Sequence, residues 1–172
     1  MPAVPNLRPL DFDAIAEARR QWEARGWTAP AAMSATTSIM RAQQILLAHA
    51  DEVLRPFDLT FARYEALVLL AFSRAGALPL GKMGDRLMLH PTSVTNIVDR
   101  LERQGLVGRD AHPTDRRTTL ARITDDGRRV VSKATEAISS TGFGLTGLDD
   151  GELDQLTALL RKLRIAVGDF RS

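Results

Sequence analysis

The segment Pro91–Gln104, PTSVTNIVDRLERQ, divides cleanly around a helical axis. Val94, Ile97, Val98 and Leu101 recur at the three- and four-residue intervals that place side chains on one face. Thr92, Ser93, Thr95, Asn96, Asp99, Arg100 and Arg103 occupy the other. Pro91 suits a first helical position, where no backbone N–H is required, and Gly105 suits the residue just past the end. Such a helix must lay its apolar face on other elements and hold short polar side chains outward. The rest of the chain therefore has to supply a scaffold for one face and a purpose for the other.

The neighbouring sequence supplies the scaffold. Thr60 is placed to cap a helix running to about Arg74, with Leu59 and Tyr64 as a hydrophobic staple and Phe61, Leu67, Val68 and Phe72 directed inward. Gly76 and Pro79 break the chain. A short helix over roughly 81–88 turns Met83 and Leu87 inward, and the segregated helix follows. LVGRDA and TTLARI then flank HPTDRRTT, a proline-containing turn with β-branched residues on either side, which reads as a hairpin over 107–123. Thr124 caps a further helix, about 125–140. Helix, short connection, helix and hairpin in this order make a winged helix-turn-helix, which gives the polar face its purpose. Ser, Thr and Asn are short enough to let a helix approach base edges in the major groove, Asn pairs with adenine, and Arg pairs with guanine or phosphate. The arginine-tipped hairpin is positioned to reach the adjacent minor groove.

Both flanks are helical. DFDAIAEARRQWEARGW predicts a helix from Asp11 with Phe12, Ile15 and Trp22 on one side, closed by Gly26 and Pro30. From about Ser34 to Arg55 a second helix carries two rows at seven-residue spacing, Ile39, Leu46, Val53 beside Met40, Leu47, Leu54. Asp149 and Glu152 form a capping-box pattern ahead of a last helix bearing Leu153, Leu156, Leu159, Leu160, Leu163, Val167 and Phe170. These two helices offer more apolar surface than so small a winged helix uses, which predicts pairing of two copies through Ile39, Leu46, Leu153, Leu156, Leu160, Leu163 and Val167. The expected fold is mainly α: a winged helix-turn-helix with a small β-hairpin wing and a helical dimerisation domain. Its parts are an N-terminal extension with an extra helix (1–33), a dimerisation region (34–58 and 137–172) and a DNA-binding domain (59–136).

Charge and composition narrow the function. Residues 100–133 hold nine Arg or Lys and five Asp or Glu, a net +4, while the rest of the chain carries −2. A localised basic segment fits a phosphate-bearing partner, and by itself also fits a solvated charged face. The chain has no cysteine, which removes disulfides and thiolate metal sites and fits a reducing compartment. No run of 18 apolar residues and no secretory pattern at MPAVPNLRPLDFD is present, so a cytoplasmic location is expected, without membrane contact. His49, His90 and His112 lie far apart, so no metal site is expected. No nucleophile–base pair, glycine-rich phosphate loop or paired carboxylates point to an enzyme, and no cofactor is called for.

The series SVTNIVDRLERQGLVGRDAHPTDRRTTLARITDDGR resembles the MarR family of bacterial transcription regulators. The correspondence rests on the turn DRLERQGLV, the wing DRR and the Thr–Gly start of the next helix, within residues 80–128. With the flanking helices it covers about 34–170. The resemblance implies a homodimer whose first and last helices interlace, each winged helix reading half of a near-palindromic operator on double-stranded DNA, as a repressor in the expected case. It implies that Thr92, Ser93, Thr95, Asn96 and Arg100 lie toward DNA. In the wing, Asp115 steadies the loop or an arginine, Arg116 takes a phosphate and Arg117 enters the minor groove. It also implies a small effector, often phenolic or anionic, bound between the dimerisation and DNA-binding parts.

The extra helix near 11–25 is similar to one in the urate-responsive branch of that family, where Trp22 would match a ligand-lining tryptophan and Glu65 an aspartate. The branch's recognition-helix arginine aligns with Ile97, which cannot hold an anion, so urate is not expected. Trp22, His49, Arg63, Tyr64 and Glu65 are the candidate effector contacts. Trp22 is equally at home as a core or interface aromatic, and His49 as a histidine bonded within the protein. The alternative to a DNA-binding regulator is a winged helix serving only as a protein–protein interaction module.

Overall fold

The computed structural model describes residues 9–112, 114 and 118–171. Helix α1 (Ala14–Ala24) starts at Asp13, whose carboxylate accepts hydrogen bonds from the backbone N–H groups of Ile15 and Ala16 at 2.9 and 3.2 Å. Pro30 does not close this segment, as expected from the sequence, but opens the next one: α2 runs Pro30–Leu54, with Ala29 left-handed before it. A proline serves the first turn as well as it serves a break, because the N–H it lacks has no partner there. α1 packs back along α2, where the Trp22 and Trp27 rings meet edge-on at 4.8 Å.

Only the C-terminal turns of α2 are buried within one chain, through His49, Ala50 and Leu54. They meet α3 (Phe61–Phe72) and a later helix, α6 (Asp125–Ser140). Thr60 caps α3, and Leu59 and Tyr64 are both buried. Phe72, expected inside, is 83% exposed. α3 buries its Tyr64, Leu67 and Leu70 side, and Phe72 stands two residues, roughly 200°, around the axis from Leu70.

A three-residue strand, β1 (Ala77–Pro79), occupies what the sequence reads as a mere break. It pairs antiparallel with β3 (Thr119–Ile123), which pairs in turn with β2 (Val107–Ala111), giving the order β1-β3-β2 with Ala121 opposite both Leu78 and Arg109. Between β1 and β2 lie α4 (Leu80–Leu87) and α5 (Pro91–Arg103). The core joins all of these: Leu54, Leu67, Met83, Val98, Leu101 and Ile138 are fully buried. Each contributes about 1.5–3 kcal/mol relative to exposure. α7 (Asp150–Ala166) begins with the Asp149–Glu152 capping box and buries no residue within the chain.

Candidate nucleic-acid interface

α5 is aimed by its connection to α4. Met88 takes a left-handed conformation, φ 51°, and Leu89 N–H donates to the Gly84 carbonyl at 3.0 Å, closing α4 and turning the chain. His90 caps α5, its Nδ1 accepting from Thr92 N–H at 3.3 Å, and Pro91 follows at the first helical position. Val94, Val98 and Leu101 are buried and Ile97 is half-buried. Thr92, Ser93, Thr95, Asn96 and Arg100 are all exposed on the opposite face. Thr95 donates its hydroxyl back to the Pro91 carbonyl at 3.1 Å, which leaves its methyl and oxygen lone pairs outward. The scaffold thus presents this face with nothing from the described residues packed on it.

Asp99 belongs elsewhere than the outward face on which the sequence puts it. With Glu102 it holds Arg109 of β2, one guanidinium between two carboxylates. The hydrogen bond that Arg109 donates to Asp99, outweighing the cost of burial, raises the Arg109 pKa above its ordinary value, with the Glu102 charge adding to it. The hairpin is thereby tied to α5. On the sheet's other face Arg122 of the central strand β3 bridges Asp110 at 2.5 Å and donates to the Ala75 carbonyl at 3.0 Å. Arg109 and Arg122 therefore build the wing's base, which no spacing within either strand could reveal. His112 N–H donates to Thr118 O at 3.1 Å, carrying the hairpin past its strands. Asp115, Arg116 and Arg117 at the tip lie outside the described residues.

A polar hollow of about 490 Å³ opens beside α5, between its C-terminal half and the start of α3. Arg63, Arg100 and Arg103 line it together with Asn96, and none of the three arginines forms an ion pair among the described residues. Gln104 pins its floor by donating Nε2 to Asp58 O and Oδ2 at 2.8 and 2.6 Å. Arg63 thus lines the same hollow as Asn96 and Arg100, apart from the cavity that Tyr64 and Glu65 share.

The remaining effector candidates do not converge. Trp22 lies on α1 and donates Nε1–H to the Thr28 carbonyl at 2.8 Å. His49 is buried with Nε2 3.0 Å from Thr141 Oγ1. Tyr64 and Glu65 alone share a second, apolar cavity of about 690 Å³ between α3, α6 and the 142–144 turn. Tyr64 Oη is 3.1 Å from Thr135 Oγ1. Burial raises the Glu65 carboxyl above its usual pKa. Phe143 and Glu136, which also line this cavity, carry no sequence signal of that role; they come from segments about 70 residues beyond α3. Of the candidate pairing residues, Ile39, Leu156, Leu163 and Val167 are exposed by 37–75%, and Leu46, Leu153 and Leu160 are partly covered.

Residues 59–119, from the cap of α3 to the start of β3, match the family model described as MarR family. The Streptomyces coelicolor protein Sco5413, a MarR family transcriptional regulator of solved structure, is 57% identical, with a TM-score of 0.77 over 82% of this chain and 98% of that one. The Bacillus subtilis HTH-type transcriptional regulator YhbI, itself uncharacterised, is 35% identical across 64% of this chain and 71% of its own length. Sco3205 of S. coelicolor, a MarR family regulator solved in complex with DNA, shares the fold with a TM-score of 0.73 over 85% of this chain and 95% of that one, at 23% identity. These relatives are regulators rather than enzymes. The likeness runs through the capped α3, the outward polar face of α5 and the tethered wing, and on that footing the chain is a member of the MarR family of transcriptional regulators.

Proposed function

We propose that two copies of this chain bind a near-palindromic operator as a repressor, each laying α5 in the major groove with its wing alongside, and that a small molecule modulates the binding. The observation that carries the reading is the bare polar face of α5, five exposed side chains backed by three buried apolar ones. Asn96 suits adenine and Arg100 suits guanine or phosphate, while Thr92, Ser93 and Thr95 keep the approach close. The arginines of the neighbouring hollow suit the phosphates flanking that groove. The exposed leucine row of α7 and the open N-terminal half of α2 favour pairing, and a two-fold pair would set its recognition helices about 34 Å apart, one DNA turn. In the wing, Arg116 and Arg117 act on phosphate and minor groove, with Asp115 steadying the tip. Sco3205, solved with DNA, provides a fold-level precedent.

The test is a fluorescence-anisotropy titration of the full chain against duplexes from upstream of its own coding region, over a salt series. Saturable binding by two chains per site is expected, with log affinity falling steeply and linearly with log salt as counterions are released. Absence of binding to every such duplex at low salt would remove the proposal.

A further inference from the structure

The apolar cavity has a chemistry that selects its occupant. Tyr64, Val68, Phe72 and Phe143 form much of its wall, and Phe72 and Phe143 expose 83% and 41% of their surface. Around the rim stand Glu65 of α3 and Glu136 of α6, and among the described residues these two carboxylates are the only charged side chains lining it. No Lys, Arg or His among the described residues lines it. Two of its polar groups, Tyr64 and Thr135, are already engaged. Thr135 donates its hydroxyl to the Val131 carbonyl at 2.7 Å, so the Tyr64 hydroxyl must donate to Thr135 Oγ1 and offers an incoming group only lone pairs. Apart from the Ser132 hydroxyl, which can donate or accept, the polar groups lining the space are acceptors or anions.

We infer that this cavity binds a lipophilic cation, its apolar body between Phe72 and Phe143 and its charge held by Glu65 and Glu136. The inference rests on the ligand-responsive part of the proposed function and departs from the anionic effectors that the family resemblance implies. An aromatic acid would bring a third negative charge to a site without a counter-ion, while a neutral molecule would leave both carboxylates without a partner. Glu65 is exposed as a residue, yet the apolar wall beside it desolvates its carboxyl enough to hold it above the ordinary range, which makes an incoming cation more valuable there than beside a fully hydrated glutamate. Phe143 gives occupancy a mechanical outlet. It is a non-glycine residue at φ 53° in the turn between α6 and α7, so a ligand pressing on its ring acts on the joint that sets the direction of α7.

Two probes of one shape and opposite charge separate the possibilities: tetraphenylphosphonium and tetraphenylborate, with neutral triphenylphosphine oxide as reference. Each is titrated calorimetrically into the full chain and into an E65Q/E136Q variant. The phosphonium is expected to bind the wild type at least about tenfold more tightly than the borate, and the variant to lose most of that preference while keeping its affinity for the oxide. Thermal melting and probe-free duplex binding of the variant establish that it is folded. Borate binding as tightly as phosphonium would overturn the inference. So would a charge preference that survives in E65Q/E136Q, or no binding of any probe, as when a second copy of the chain fills the cavity. Phosphonium binding with unchanged operator affinity would leave the site standing and remove the ligand response; loss of duplex binding without any probe would instead strike the proposed function itself.

Discussion

Arg109 is the side chain on which wing and recognition helix meet. Its ion pairs with Asp99 and Glu102 link the wing to α5, the two parts that the proposed function lays on DNA. Arg109→Met keeps the aliphatic stem but leaves two half-exposed carboxylates facing each other. The expected cost to folding is modest, about 1–2 kcal/mol after allowance for solvent screening. The expected loss of operator affinity is larger than that stability change explains, and parallel urea melts and duplex titrations check it. Gly127 constrains the same region differently. A β-carbon there would sit 2.2 Å from the Leu106 carbonyl oxygen, a backbone atom that cannot step aside. Gly127→Ala should therefore cost about 1–3 kcal/mol or more through overpacking, read as a lower urea midpoint at unchanged slope. An unshifted midpoint would mean the α6 start can retreat from β2.

Among the elements, α5 was the most legible because its instructions are local: a proline to start, a glycine at φ 72° to stop, and apolar residues at helical spacing between. β1 was not, because its partner β3 lies some 40 residues on and three residues hold too little alternation to register. The inward assignment of Phe72 erred for a related reason: a helix with apolar residues on several sides does not say which side its neighbours will cover. The same limit hid the hollow beside α5. Arg63 belongs to α3 and Arg100 and Arg103 to α5, and only packing brings them together. If that hollow seats a phosphate, Arg63→Ala should weaken binding about equally on all duplexes and lower the salt slope by about one. A loss confined to one operator sequence would instead assign Arg63 to base reading.

At the scale of the whole molecule, one chain leaves a long apolar face bare. α7 buries no residue of its own chain, and Leu159, Leu163 and Val167 expose 53–75% of their surface. A leucine row on a capped helix, left bare, supports the proposed pairing of two copies. Truncation before Leu153 should leave the α3–α6 body folded, since its core owes nothing to α7. It should reduce the light-scattering mass from twice the chain mass to once; a mass still doubled would place the pairing elsewhere, on α1 and α2.

The central claim is that the outward face of α5 reads base sequence, and the most direct measurement compares the wild type with an Asn96→Ala, Arg100→Ala variant on the upstream operator and on a scrambled duplex of equal length and salt. The wild type should prefer the operator. The variant, folded by circular dichroism, should lose most of that preference, about 1–3 kcal/mol for each base contact removed, while retaining its affinity for the scrambled duplex apart from any phosphate contact of Arg100. A variant that discriminates between the two duplexes as well as the wild type does would contradict the account.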